Sequence, residues 1–317
     1  MKKILVTGAA GFIGFHLSKS LAEDGYSVVG IDNFNDYYDV KLKETRRNLL
    51  LKHGVKVKTV DLKNPAMLSI YFRNEQPDAV IHLAAYAGVR HSMDNPSPYI
   101  QNNIVGTHNL IQTCEKNGIN NVVYASTSCV MAGNPLPWNE NEKLGYQLNP
   151  YGYTKATNES QFMASKIENA VGLRFFTVYG PWGRPDMALF SFTKNIIKGQ
   201  PINLFNYGNM IRDFTYVDDI VNGIKIVLDK TLKSHNYKEI FNIGYGQQVK
   251  LEKFVDLIEN EVGRKAIKRY VPKHPADTVE TWSDTTKLQQ LGYKPTTPFE
   301  KGVHEFVKWY KSYHKVN

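Results

Sequence analysis

The chain has 317 residues, 42% hydrophobic and 22% charged, which is the balance of a globular protein with a large core and excludes a disordered or fibrous one. A formal charge of +9 suits an anionic ligand, but the lysines are scattered and no arginine-rich block marks a nucleic-acid surface. Two cysteines, Cys114 and Cys129, form neither a metal spacing nor a disulfide framework. No apolar run approaches the roughly 20 residues of a membrane span, and the first residues enter a strand without a signal-peptide core. The expectation is a cytoplasmic protein with no metal, no membrane and no nucleic-acid partner.

Taken in order, Lys3–Thr7 is a short apolar run of the buried parallel-strand kind, and it breaks into Gly8-Ala9-Ala10-Gly11-Phe12-Ile13-Gly14 before a helix running to about Asp24. The three glycines permit a tight turn, a close approach of backbone to phosphate and close packing of helix on strand. The unpaired N–H groups of the helix start then face a pyrophosphate. The second strand, Ser27–Ile31, ends in Asp32, an acid placed to bond a ribose hydroxyl, which favours NAD over the 2′-phosphate of NADP.

A basic helix over about 40–52 follows, and Lys41, Lys43, Arg46, Arg47 and Lys52 are expected on a solvated face. The strand 55–60 ends in Asp61, which either accepts from the adenine amino group or caps the helix opening near Asn64-Pro65. Strand 79–83 leads into Ala84 and Ala85, small enough for the nicotinamide end of a dinucleotide to lie against the backbone; His82 is expected to be a packed strand residue. Strand 121–125 ends in the hydroxyl cluster Ser126-Thr127-Ser128, beyond the carboxyl end of a strand and therefore towards the cofactor crevice.

The next stretch is Asn149-Pro150-Tyr151-Gly152-Tyr153-Thr154-Lys155. Proline suits a helix start, and residues four apart share one face of a helix. A tyrosine of pKa about 10 is a poor base near neutrality, but a cationic neighbour stabilises the phenolate, so Lys155 is expected to lower the pKa of Tyr151. After the strand 170–176 the rhythm changes to loops rich in glycine, proline and aromatics, which places a boundary near Phe176; Glu239–Ile243 is a segment that can return to the sheet. Asp218 and Asp219 are expected to cap the helix that follows them.

With these residues assembled, the sequence resembles the extended short-chain dehydrogenase/reductase family and, within it, the nucleotide-sugar epimerases. The stretches 32–39, 176–188 and 210–220 are the most specific and are similar to UDP-glucuronate 4-epimerases. The resemblance implies an α/β fold: a Rossmann-like, doubly wound parallel sheet in 1–175 that binds NAD, and a smaller C-terminal α/β subdomain in 176–317 for the sugar nucleotide. It implies a homodimer acting on a UDP-sugar through a 4-keto intermediate. Tyr151, Lys155 and Thr127 would be catalytic. Gly8, Gly11, Phe12, Ile13, Gly14, Asp32, Asn33, Asp61, Leu62, Leu83, Ala84 and Ala85 would hold NAD together with Tyr151 and Lys155. Ser128, Thr177, Arg184, Met187, Leu204, Arg212 and Asp277 would bind substrate, with Arg212 on the diphosphate. Arg184 would meet the carboxylate or a phosphate, or pair with Asp186. Phe205 and Tyr207 would flank the uracil, and Asn103 would support the tyrosine helix.

Departures from the family pattern border the sugar pocket. Cys129 replaces a hydroxyl, Met131-Ala132 a tyrosine-glycine turn and Tyr86 a glutamine, and no glycine precedes Asp277. The carboxylic acid that related decarboxylases and dehydratases carry just after the threonine is absent. Conversion of UDP-glucuronate to UDP-galacturonate is therefore expected, the alternatives being epimerisation of a neutral UDP-hexose, decarboxylation, or non-catalytic binding of NAD or a nucleotide sugar.

Overall fold

The computed structural model describes residues 1–316. Six strands come first: β1 (Lys3–Thr7), β2 (Ser27–Asp32), β3 (Lys56–Thr59), β4 (Ala79–His82), β5 (Asn121–Thr127) and β6 (Asn169–Phe175). After β7 (Thr177–Tyr179), β8 (Pro201–Phe205) and β9 (Ile211–Tyr216), the chain returns as β10 (Lys238–Ile243) and pairs parallel with β6. The seven-stranded sheet has the order β10-β6-β5-β4-β1-β2-β3, and all its pairings are parallel. The winding reverses between β1 and β4, which opens a crevice beyond the strands' carboxyl ends at that point.

The sheet is covered on both faces, which is why its strands read as unbroken apolar runs. Ile4 and Val6 enter the core on one face with Leu17 and Leu21 of the helix Phe12–Glu23 and Ile220 and Ile224 of the helix Val217–Leu232. Leu5, between them in β1, packs on the other face with Leu68, Leu110 and Phe162. Phe162 lies on the helix Pro150–Ala164, and its ring stacks on Tyr124 of β5 with centroids 4.0 Å apart. Gly172 stands opposite Tyr124 on β6, and a Cβ there would come within 2.8 Å of the tyrosine ring. That glycine gives the tyrosine room to seat the helix.

The remaining strands, with β11 (Gln248–Lys250) and β12 (Ile267–Val271), form a three-stranded sheet β11-β9-β7 and a parallel pair β12-β8. The helices Leu251–Val262 and Phe299–His314 close over them, and Phe214 stacks on Phe254 and Phe299 at 4.8 and 5.2 Å. No helix among the described residues is long and apolar enough to cross a membrane.

Two sequence expectations are corrected here. In the helix Val40–Lys52, Lys41 and Lys52 are solvated, but Lys43 and Arg46 are buried with Leu42 and Leu50. Arg46 donates to Ala10 O at 3.0 Å, to the Tyr38 hydroxyl at 2.8 Å and to Trp182 O, so the basic helix fastens the glycine loop to the loop after β7. Asp219 does not cap its own helix. It accepts from Thr296 N at 2.8 Å and Thr297 N at 3.1 Å, tying down the loop before the last helix, while Asp218 lies exposed. A tertiary partner outcompeted the local one in both cases.

Candidate active site

The loop after β1 turns at Gly8, whose φ is +70°. A Cβ on Gly8 would lie 2.8 Å from Ala84 N, and one on Gly14 would overlap the Gly8 carbonyl oxygen. Glycines 8, 11 and 14 thus form a cradle with no room for side chains, open towards the start of the helix Phe12–Glu23. The residues fit a dinucleotide: bare backbone for a pyrophosphate and an acid at the end of β2 for a ribose.

Asp32 is buried, with one carboxylate oxygen accepting from Ala10 N at 3.1 Å and the other from Phe34 N at 2.9 Å. Burial pushes its carboxyl up, opposed by those amides and by Lys43 and Arg46. Each oxygen keeps a second lone pair for a ribose hydroxyl. Lys43 Nζ, brought to this end of the cavity by the inward face of its helix, donates to Asn35 O at 2.6 Å. Asp61 accepts from Asn33 Nδ2 at 3.3 Å and Lys63 N at 2.8 Å, and the helix cap belongs to Asn64, whose side chain accepts from Met67 N.

At the centre of the sheet His82 is structural. Ala84 N donates to Thr7 Oγ1, which also bonds His82 Nδ1 at 2.8 Å, and the other ring nitrogen, Nε2, bonds Thr107 Oγ1 at 3.0 Å. Burial pushes the imidazole down to about 3, so it stays neutral and fixes the wall beside the glycine cradle.

The tyrosine helix starts at Pro150, and Asn149 caps it by accepting from Gly152 N at 2.8 Å. Asn103 supports it as expected, through a π-helical stretch, Ile100–Val105, that turns its amide inward to Thr154 Oγ1 at 3.0 Å and Tyr86 O at 3.0 Å. Lys155 is buried and donates to Ala125 O at 2.9 Å. The Tyr151 phenol lines the cavity beside the Thr127 hydroxyl. Its pKa corrects the sequence expectation: burial raises it, outweighing the Thr127 hydroxyl and the Arg184 charge. Lys155 has turned its ammonium to the sheet carbonyl.

Ser128, Cys129, Thr177, Arg184, Met187, Arg212 and Asp277 wall the other end of the same cavity of about 860 Å³, which reaches from Gly8 to Asp277. Arg184 makes a bidentate pair with Asp186, at 3.0 and 2.7 Å, and the Tyr37 hydroxyl donates to the same carboxylate at 3.0 Å. Arg212 donates to the carbonyls of Thr278 and Val279 at 2.6 and 2.7 Å. Burial works against its charge, and Asp277 is the acid that supports it. Asp277 is itself bound by Arg90 at 2.8 Å, and Arg90 lies 3.6 Å above the Phe205 ring. Leu204 does not line the cavity: on β8 it turns into the core while Asn203 and Phe205 face the cavity. Tyr207 is exposed, with a φ of 53°. Every proposed cofactor residue lines the cavity. Sequence reasoning missed Tyr37, Tyr38, Lys43 and Arg90; the spacing of Leu42, Arg46 and Leu50 on one helical stripe was the available signal for the third.

Asp32→Asn keeps the acceptor for one backbone amide and removes the charge. The purified variant is expected to retain less NAD by at least about tenfold with little change in Tm, since the ribose bonds to a charged acceptor are worth about 1.5–3 kcal/mol. Cofactor content and a thermal melt check this.

The fold and cavity define a dinucleotide-dependent enzyme with a tyrosine–lysine pair at the nicotinamide end. Residues 4–244 match the NAD dependent epimerase/dehydratase family. Protein CapI of Staphylococcus aureus is 43% identical, over 99% of each chain. UDP-glucuronate 4-epimerase 4 of Arabidopsis thaliana is 41% identical, over 98% of this chain and 76% of that one. The structure of the UDP-glucuronic acid 4-epimerase of Bacillus cereus with UDP-glucuronic acid and NAD superposes with a TM-score of 0.91 at 34% identity, covering 98% of this chain and 99% of that one. This chain belongs to the NAD dependent epimerase/dehydratase family, as one of its NAD-dependent nucleotide-sugar 4-epimerases.

Proposed function

We propose that the enzyme interconverts UDP-glucuronate and UDP-galacturonate, with residues 1–175 carrying most of the NAD contacts and 176–317 most of the sugar-nucleotide contacts. The observation that carries the substrate is the make-up of the sugar end. Thr127, Ser128 and Thr177 present hydroxyls there, and the nearby carboxylate of Asp186 is neutralised by Arg184 and Tyr37. A uronate carboxylate meets donors and no free acid. The names of the Arabidopsis and Bacillus relatives support the same reading.

The glycine cradle and Asp32 would hold NAD, which would supply reversible hydride chemistry at the sugar C4. Tyr151 takes the proton from O4 and gives it back, and Thr127 bonds that oxygen in both states. Lys155, one helical turn on and on the same face, is the cation that would stabilise the phenolate as it forms. Arg212 takes the diphosphate, where a second anion joins Asp277 in supporting its charge. The 4-keto uronate is a β-keto acid and loses CO₂ if its carboxylate leaves the ring plane, so Thr177 and Ser128 must clamp that group. Cys129 is a weak donor, which loosens the clamp.

Separate incubations with UDP-glucuronate, UDP-glucose and UDP-N-acetylglucosamine, followed by NMR of the products, are expected to give UDP-galacturonate from the first alone, with a trace of UDP-pentose. Turnover confined to a neutral hexose would overturn the uronate assignment and leave the epimerase chemistry standing.

A further inference from the structure

The tyrosine helix carries a third chemical group on its inward stripe. Glu159 follows Lys155 by the same interval as Lys155 follows Tyr151, so the three side chains climb one side of the helix. Glu159 is 4% exposed and is gripped by three donors. Arg174 Nε reaches Oε1 and Nη2 reaches Oε2, both at 2.9 Å, and the Ser126 hydroxyl donates to Oε1 at 2.6 Å. Ser126 and Arg174 stand opposite each other on β5 and β6, so the sheet offers both to the helix at once. The free Nη1 of Arg174 approaches Met131 Sδ at 2.9 Å, in the turn Ser128–Met131 at the sugar end.

The charges do not cancel within this cluster. Arg174 and Lys155 are both buried cations, Glu159 is the anion bound to the first and one helical turn beyond the second, and the hydrogen-bond acceptor of Lys155 is a neutral carbonyl. A buried ammonium without a counter-charge gives up its proton. We infer that Glu159 is a positioning residue for the proposed epimerase: clamped by Arg174 and Ser126, its carboxylate supplies the counter-charge that keeps Lys155 an ammonium behind Tyr151. The inference rests on the epimerase reading for the roles of Tyr151 and Lys155.

The surroundings of Lys155 leave Glu159 alone in this task. Burial pulls the lysine down to about 8, and Glu159 is the group that holds it up. From β4 comes His82, which is neutral; from β5 the Ala125 carbonyl; and from β6 Arg174, itself a cation. The stretch Ile100–Val105 brings amides only, and in the helix before it Arg90 and His91 are engaged by Asp277 and Tyr99. Loss of the anion lowers the proton affinity of Lys155, so the ammonium disappears at a lower pH and the alkaline limb of the activity profile moves down with it.

Glu159→Gln keeps the shape of the side chain and removes its charge. Because it strands Arg174, the double variant Glu159→Gln/Arg174→Met removes both ends of the ion pair and guards against a folding defect. The test uses NAD-loaded protein with lysines ¹³C-labelled at Cε, the Lys155 signal being assigned with Lys155→Arg. The expected result is a Lys155 midpoint lower by about one unit in Glu159→Gln, with the alkaline limb of kcat moved equally and KM little changed, and a smaller drop in the double variant, where a cation leaves with the anion. An ion pair that serves folding alone predicts that Lys155 titrates in Glu159→Gln as it does in the unaltered enzyme, and that outcome overturns the inference. If the unaltered enzyme turns over no UDP-sugar, the epimerase reading fails, while the NMR midpoint still decides the role of Glu159.

Discussion

Tyr151→Phe is expected to lower kcat with UDP-glucuronate by about 10²–10⁴ while leaving the fold and the bound NAD in place, the loss usual when a general acid–base is removed. The substitution deletes one hydroxyl from a side chain whose ring packs edge-on against Tyr99, with centroids 6.5 Å apart, and that contact survives in the phenylalanine. Tyr153, two residues on, does not line the cavity and so is not placed to take over. Steady-state kinetics, a thermal melt and the NAD content of the purified variant check the three parts separately. Near-normal turnover would move the proton transfer to another group.

Gly14→Ala is expected to empty the cofactor site. The new methyl would overlap the Gly8 carbonyl oxygen and sit 3.0 Å from the Ala9 Cα, all of it backbone that cannot swing aside. Forcing an extra carbon into such a contact costs about 1–3 kcal/mol, which corresponds to roughly 5- to 150-fold in NAD affinity if the loop bears the strain. Because Gly8 also lies against Ala84, the displacement reaches the strand that faces the nicotinamide end. Fluorescence titration with NADH measures the affinity, and circular dichroism shows whether the helices persist. An unchanged affinity would mean that the turn relaxes elsewhere.

The cofactor half was legible because its signals are local. A strand, three glycines, a helix and an acid at the next strand end lie within residues 3–32, and each answers to backbone sterics or a single hydrogen bond. The Tyr151–Lys155 pair was readable for the same reason, since helical spacing alone puts both on one face. What escaped depends on partners distant in sequence. Lys43 and Arg46 look like a solvated run until Asn35, Ala10 and Trp182 supply their acceptors. Asp219 looks like a cap until the loop at Thr296 arrives 77 residues later. Leu204 shares its strand with Phe205, and nothing local to the sequence tells which of the two turns into the core. The rise in the Tyr151 pKa was equally hidden, because desolvation is a property of everything packed around the phenol.

The late return of β10 bears on how the chain acquires its shape during synthesis. When residue 175 leaves the ribosome, β6 is an open edge, and the helix that covers β5 and β6, Val217–Leu232, has not been made. At about 5–20 residues per second, the nascent sheet waits several seconds for its last strand. Exposed edges and uncovered apolar faces invite pairing with other chains. Asn121 and Asn169 begin β5 and β6 with amides that bond each other at 2.9 Å, and Lys238 opens β10 with a cation. The amides of Asn121 and Asn169 therefore put polar side chains at one end of the strands that are uncovered during that wait.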